Sequence, residues 1–461
     1  MREPGSSSRI TGQGTWRTLL VLFCLLPILG SCTVVTPSGG SGTLPPPPPA
    51  RPAPDEPEEE PTPHARPARP TLAPDRLPDE VRALWVVRTT LGHPDSIRVM
   101  VERAAAAGFN TLVVQVRGRG DAYYRSRWEP RPPTVLEHGS SFDPLGLVIQ
   151  EAHARGLGVH AWVNAHLVGG LGALPTDPLH LVQARPDLLG VPRSLARELY
   201  DVDPFSPRYG QALLRYAREN RDRVEGIYTS PSHPEVKEHI YSLWMDLVES
   251  YPLDGLHFDY IRYPNPEFDY SRSALERFRT WVAPRLSPVR RDELEREARG
   301  DLLAWADALP GPWAEFRRSQ ITGLVERVYY GVKKRRPDVV VSAAVFANAE
   351  DAQRSRFQDW RLWVSEGILD AVAPMAYTPD NDAFRRQIRT AVDAAGAGRV
   401  WAGIGVYRNT YRGTVDKIRV ARELGVRGVV LFSYDWAVSE GESDGDRSFL
   451  DRVGRELFRR P

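Results

Sequence analysis

The sequence predicts a (β/α)8 barrel with long insertions after its third and fourth strands, and three features lead there. From Val81 onward, short β-branched and apolar runs alternate with amphipathic stretches of helical spacing. The runs number eight, the count that closes a parallel barrel, and most are apolar along both faces, as strands covered by helices must be. An open doubly wound sheet is the alternative, but Val86-Val-Arg-Thr-Thr-Leu-Gly92 after the first run is no Gly-rich phosphate loop.

The predicted strands are Ala83–Arg88, Thr111–Arg117, Gly158–Asn164, Leu253–Asp259, Val339–Phe346, Ala371–Tyr377, Val400–Val406 and Gly428–Asp435. Helices are predicted over Pro94–Ala107, Pro144–Arg155, Pro234–Glu249, Phe316–Arg335, Asp382–Ala395 and Val415–Leu424. Gly108, Gly156, Gly396 and Gly425 stand where left-handed caps would end four of them. The domain exceeds the roughly 250 residues of a minimal barrel. The surplus falls in 165–233 and 263–315, both after strand C-termini, the face on which barrels build their sites.

The chain has 461 residues, 60 basic against 59 acidic, for a formal net charge of +1. That balance gives no basic surplus for a nucleic-acid partner. Two cysteines exclude a disulfide scaffold or a cysteine-rich metal site.

Arg2, Arg9 and Arg17 precede the apolar run Leu19–Leu29 and then Gly30-Ser31-Cys32, the pattern of a secretory signal over 1–31. Leu29-Gly30-Ser31-Cys32 looks like a bacterial lipobox, which implies cleavage before Cys32 and acylation of its thiol. An ordinary signal with an incidental cysteine is the plainer alternative. Residues 32–78 read as a tether, since fifteen of the 42 positions from Pro37 to Pro78 are proline and cannot build a core. These features predict a lipid-anchored protein of the cell envelope, with membrane contact through Cys32. Thr33 is not the Asp associated with inner-membrane retention, so the outer membrane is preferred.

Alternate strand residues point into a barrel, and the last inward one reaches the mouth. His257 and Asp259 share a face of the fourth strand, where burial is costly unless each group is paired or meets a water-filled site. Asp259 is the candidate catalytic carboxylate; Asp254, in an Asp-Gly turn, is read as structural. The other possible role of Asp259 is to orient Arg262 or a Tyr. His160, Trp162 and Asn164 share a side of the third strand, the second ends Gln115-Val-Arg117, the sixth Met375-Ala-Tyr377, and the eighth runs Phe432-Ser-Tyr-Asp435-Trp436. Aromatics to stack on sugar faces and polar groups for hydroxyls suit a carbohydrate cleft. No His-x-x-x-His, His-x-His or Gly-x-Ser-x-Gly pattern supports a metal site or a serine hydrolase, and no cofactor is expected.

Three stretches carry a resemblance to a known family. They are Val81-Arg-Ala-Leu-Trp-Val with Val113-Val-Gln-Val-Arg-Gly-Arg-Gly-Asp-Ala-Tyr-Tyr; Phe142-Asp-Pro-Leu with Glu151 to Asn164; and Asp254-Gly-Leu-His-Phe-Asp-Tyr-Ile-Arg-Tyr-Pro264. With Gln358-Asp-Trp and Ala373–Tyr377, they make residues 79–440 resemble the glycosyl-hydrolase-like family 10 of bacterial envelope lipoproteins. The resemblance implies a barrel acting on a polysaccharide, with peptidoglycan glycan strands a leading substrate. It also implies a cleft lined by Arg117, Asp121, Trp162, Asn164, His257 and Asp259; Tyr263, Tyr377 and Asp435 are further candidates. Many members carry a second Asp where this chain has Tyr260. Chitinases of family 18 place an acid Glu where it has Ile261.

Glycoside cleavage usually needs two carboxyl groups, about 5–5.5 Å apart for retention and about 6.5–9.5 Å for inversion. Asp259 is assigned as one. Similarity to the α-amylase group points to Glu350, beside Asp351, as the other, with Asp435 and Asp121 behind it. The rival readings are a non-catalytic glycan-binding barrel and a hydrolase of an exogenous polysaccharide.

Overall fold

The computed structural model describes residues 78–439 and 449–459. The expected signal segment 1–31, the lipidation site Cys32 and the tether up to residue 77 lie outside the described residues.

Eight strands close into one parallel barrel in chain order: β1 (Val81–Val86), β2 (Thr111–Arg117), β3 (Gly158–Asn164), β4 (Gly255–Asp259), β5 (Val340–Phe346), β6 (Ala371–Met375), β7 (Trp401–Gly405) and β8 (Gly428–Phe432). Closure pairs Val81 with Gly428 on one side of β1 and Ala83 with Thr111 on the other. This excludes the open-sheet alternative. The predicted strands fall on the observed ones, with shifts at the mouth. β1 lies two residues earlier than Ala83–Arg88, because a 3-10 turn takes over at Arg88–Gly92. β8 stops at Phe432, because a helix begins at Tyr434.

Around the barrel run Pro94–Ala106, Pro144–His153, Pro234–Ser250, Pro310–Arg335, Asn381–Ala395 and Tyr411–Glu423. Several start on a side-chain cap; the Asp143, Asp380 and Thr410 oxygens accept backbone N–H groups of the first turn. The four predicted terminal glycines all have positive φ, from 68° to 80°. The helix predicted from Phe316 begins earlier, at Pro310.

Both predicted insertions are present. The first, 165–233, forms a small antiparallel pair, Leu167–Gly169 with Ile227–Tyr228, and a helix, Pro207–Glu219. The second holds the helices Arg272–Val282, Pro288–Ala298 and Leu303–Ala308. They bury Leu275, Phe278 and Trp305 against Trp313 and Phe316 in a core of their own. Among the described residues no helix is long and apolar enough to cross a membrane.

The barrel interior is filled by large rings set against small neighbours: Trp85, Trp162 and Trp401 pack with Ala83, Ala344, Ala371 and Ala373. His160 lies edge-on to Trp401 with ring centroids 5.3 Å apart, and the position facing it on β4 is Gly255, where a Cβ would collide with His160 Nδ1. Gly255→Ala should therefore cost about 1–3 kcal/mol through overpacking. Urea denaturation is the check, and a His160→Ala background should remove most of that cost.

Candidate active site

The last inward residues of β1, β3, β4, β6 and β8 meet at the C-terminal mouth. Trp85, Trp162, Asp259, Met375 and Phe432 line a cavity of about 230 Å3 there, with Asn164, Tyr260, Tyr377 and the arginines 88, 119 and 262. Of the predicted site residues, the structure brings Asp259, Trp162, Asn164 and Tyr377 to this cavity.

Asp259 ends β4 and is 9% exposed. Its Oδ1 accepts the Tyr260 backbone N–H at 2.7 Å. Tyr260 reaches that position with φ of 49°, a left-handed conformation that costs a non-glycine residue on the order of 1 kcal/mol or more. Arg262 does not pair with Asp259. Its Nη2 lies 3.0 Å from Glu225 Oε1, its Nη1 is 3.4 Å from the Tyr228 hydroxyl, and its guanidinium covers the Tyr260 ring at 4.5 Å. The role of Asp259 as an orienting partner of Arg262 is thus taken by Glu225. Burial pushes the Asp259 carboxyl up to about 6, against the opposing pull of Arg262 and the Tyr260 N–H, while the charge of Glu225 adds to the rise. Glu225 moves the other way: burial favours its protonation, but Arg262 and the Tyr228 hydroxyl, 2.6 Å away, hold it below the usual range.

A polar chain crosses the cavity wall. Trp162 Nε1 donates to Asn164 Oδ1 at 2.8 Å, and Gln115 Nε2 reaches the same oxygen at 3.4 Å. Gln115 Oε1 accepts from Arg88 Nη1 at 3.2 Å, and Asn164 Nδ2 donates to the Gly118 carbonyl at 2.8 Å. Tyr377 stacks on Phe432 at 5.5 Å and 22°. Beyond them, Tyr407 touches both rings and lies 5.9 Å from Trp436; these outer two are 40% and 41% exposed. An aromatic path thus leads from the cavity to the surface.

The other predicted site residues do not line the cavity. Glu350 lies in the first turn of the helix Ala349–Ser355, with its carboxylate exposed and 3.8 Å from Arg354. It sits there because Asn348 caps that helix, whereas the inward positions of β5 carry Ser342 and Ala344. Arg117 is buried with both ends of its fork on Glu129, at 2.7 and 2.6 Å, and its Nη1 also donates to the carbonyls of Asn164 and Ala165. Burial opposes the Glu129 charge, yet Arg117 and His239 keep that carboxylate well below its usual range.

His257 is one layer deeper. Trp85 Nε1 can only donate, so His257 Nε2 accepts at 3.2 Å and its proton sits on Nδ1, 2.9 Å from Ser342 Oγ. Burial, with a contribution from His160, lowers His257 to about 3 and keeps it neutral. Tyr263 is buried edge-on to Phe357 at 5.3 Å. Asp435 ties the turn after β1, accepting from the Val87 N–H at 3.1 Å and from Thr90 Oγ1 at 2.6 Å. Asp121 accepts the Arg119 N–H at 2.8 Å and holds Oδ2 4.0 Å from Arg88 Nε, behind the wall rather than on it. Asp254, read as structural, accepts from Val159 N–H and lies against His153 Nε2, both at 2.8 Å.

Sequence reasoning missed Arg88, Arg119 and Glu225. Arg88 is the last residue of the first predicted strand, two beyond its observed end, Arg119 lies two past the second, and Glu225 comes from the distant insertion. The Gly118-Arg119-Gly120 run was the one available signal, since glycines on both sides let a backbone present a side chain at a crowded mouth. Among the described residues no group of three or more His, Cys, Asp or Glu could hold a metal ion.

Comparison with known proteins matches residues 80–209 and 215–408 to the family model described as glycosyl hydrolase-like 10. The chain is 26% identical over 289 residues to glycosyl hydrolase DigH of Escherichia coli (strain K12), an alignment covering 59% of this chain and 55% of that protein. It is 24% identical over 293 residues to glycosyl hydrolase YngK of Bacillus subtilis (strain 168), covering 59% and 46%. The chain thus spans about half the length of the curated relatives it matches. In structure it is similar to the PgaB (BpsB) glycoside hydrolase domain from Bordetella bronchiseptica, with a TM-score of 0.56 and 15% identity over 79% of this chain and 97% of that one. That likeness shows a shared fold.

The raised proton affinity of Asp259 has a consequence for stability. A carboxyl that titrates near 6 when folded, against 3.8 ordinarily, binds its proton more tightly in the folded chain. Stability is therefore lost as pH rises from about 4 through 6. Asp259→Asn should unfold at higher urea than the wild type at pH 7.5, by up to about 3 kcal/mol, with the gap closing below pH 4.

Proposed function

Because the chain belongs to the glycosyl hydrolase-like 10 family, we propose that it is a glycoside hydrolase that cleaves a polysaccharide with Asp259 as its proton-transferring carboxyl. The observation that carries this reading is a buried carboxyl at the end of β4, raised to about 6 and not neutralised by the nearby arginine, in an aromatic cavity. Such a group keeps its proton up to about pH 6 and gives it to the leaving glycosidic oxygen as the C–O bond breaks and water adds at the anomeric carbon. Glu225, displaced in the opposite direction, is the carboxylate that shares its field. Two carboxyls whose surroundings separate their proton affinities is the division of labour that acid–base glycoside chemistry uses. Glu225 acts here through Arg262 and its charge, as a positioning residue. The path from Phe432 and Tyr377 to Tyr407 and Trp436 offers flat apolar faces to successive sugars.

Peptidoglycan glycan strands are the proposed substrate, and the bacterial envelope the proposed site of action, reached through a lipid on Cys32. The basic residues before an apolar run that ends on Gly30-Ser31-Cys32 support that placement. A non-catalytic glycan-binding barrel is the second reading, favoured by one observation: Asp259 is the one carboxylate among the described residues that lines the cavity.

Purified glycan strands incubated with the full chain should release shorter products, resolved by chromatography. Asp259→Asn should lower the rate by about 100-fold or more, the scale of lost general acid catalysis. Activity should fall as pH rises through about 6. Glu225→Gln removes a like charge, so its falling limb should move to lower pH while Asp259 stays in place. Strands that are retained but uncut by the wild type would favour the binding reading instead.

A further inference from the structure

The cavity carries more positive charge than its chemistry requires. Its charged lining consists of Asp259, Arg88, Arg119 and Arg262, and Arg262 is already matched by Glu225 at 3.0 Å. Arg88 and Arg119 remain. Arg88 is held by Gln115 Oε1 at 3.2 Å and has Asp121 only at 4.0 Å.

Arg119 differs from every other arginine of the mouth. Its backbone is fixed on both sides, the N–H by Asp121 at 2.8 Å and the carbonyl by His180 Nε2 at 2.8 Å. Yet its guanidinium makes no hydrogen bond or ion pair among the described residues. Glycines clear the way for both side chains: a Cβ at Gly118 would collide with the Arg88 stem, and one at Gly170 with the Arg119 head. Burial and then the adjacent Arg88 push the Arg119 guanidinium below its usual range, the response of like charges brought together in a partly dry site. An arrangement of this kind is costly when empty and is relieved by a bound anion.

We propose that Arg88 and Arg119 form an anion-recognising subsite that selects sugars carrying an ionised carboxylate beside the bond addressed by Asp259. A guanidinium fork matches a carboxylate with two parallel N–H bonds, and two forks at one wall fix such a sugar in orientation as well as place. The inference rests on the glycan-cleaving reading above and adds to it a chemical class of substrate and the residues that read it. Neutral glycans would fill the aromatic path but leave both cations unmatched.

The test uses the full chain carrying Asp259→Asn, so that binding is measured without cleavage. The probes are glycan strands of alternating N-acetylglucosamine and N-acetylmuramic acid, freed of peptides so that the lactyl carboxylates are ionised, and the same strands with those carboxylates converted to methyl amides. Calorimetric titration should show the acidic strands binding about tenfold or more tightly, at low salt more than at high. Adding Arg119→Gln should erase that preference while leaving affinity for the amidated strands unchanged and the unfolding midpoint no lower than before, since the head it removes holds nothing in the fold and is repelled by Arg88. Arg119→Lys should restore part of the preference. Equal affinity for the two strands, or a preference that survives Arg119→Gln, would overturn the subsite and leave the glycan reading intact. No binding of either strand would overturn both.

Discussion

The site is organised by where Arg262 places its charge. A buried carboxyl three residues from an arginine would ordinarily be neutralised by it and hold no proton near neutral pH. Here the first insertion delivers Glu225 and the Tyr228 hydroxyl to that arginine, at 3.0 and 3.4 Å, and the Tyr260 and Phe346 rings cover its faces. Asp259 is left with the Tyr260 backbone N–H, the Trp162 indole beside it and a dry surrounding. The left-handed turn at Tyr260 serves the same end, since it supplies that N–H and sets its ring under the guanidinium.

The rest of the mouth is held rigid by groups whose hydrogen-bonding capacity is used inside the protein. Arg117 joins the loop after β2 to the carbonyls that follow β3, through Glu129 and His239. Asn164 and Gln115 link β3, β2 and the turn after β1 in one chain ending on Arg88. Asp435 ties that same turn to the helix after β8. Breaking a buried pair such as Arg117–Glu129 from one side leaves an unmatched charge in the core, which explains why these polar groups are engaged with one another and not with the cavity. What faces the cavity beyond these is a short set: one carboxyl of raised proton affinity, an aromatic path, and the Arg119 head beside an Arg88 held by Gln115.

The barrel was legible in the sequence because its signals are local and repeated. Eight apolar runs, helical spacing between them and glycines such as Gly108 and Gly425 at helix ends each depend on a few adjacent residues. Asp259, Trp162 and Tyr377 were legible for the same reason, since strand alternation near the C-terminal end is enough to aim a side chain at the mouth. The failures came where alternation is silent. His257 faces inward as predicted, but one layer deeper, where Trp85 and Ser342 satisfy it. Glu350 lies past the end of β5, in a helix whose first turn faces solvent. Glu225, 34 positions before Asp259 and in the first insertion, owes its place to tertiary packing that no nearby residue announces.

The proposed chemistry requires Asp259 to bind its proton more tightly than an ordinary aspartate in the folded chain. That requirement is most directly tested by a carbon-13 NMR titration of the aspartate-labelled protein, with Asp259→Asn to identify the resonance. A carboxyl signal that titrates near pH 6 in the wild type and is missing from the variant is expected. An Asp259 signal that titrates at or below the ordinary carboxylate range would contradict the proposed chemistry, because the arginine would then be neutralising the group from which the mechanism draws its proton.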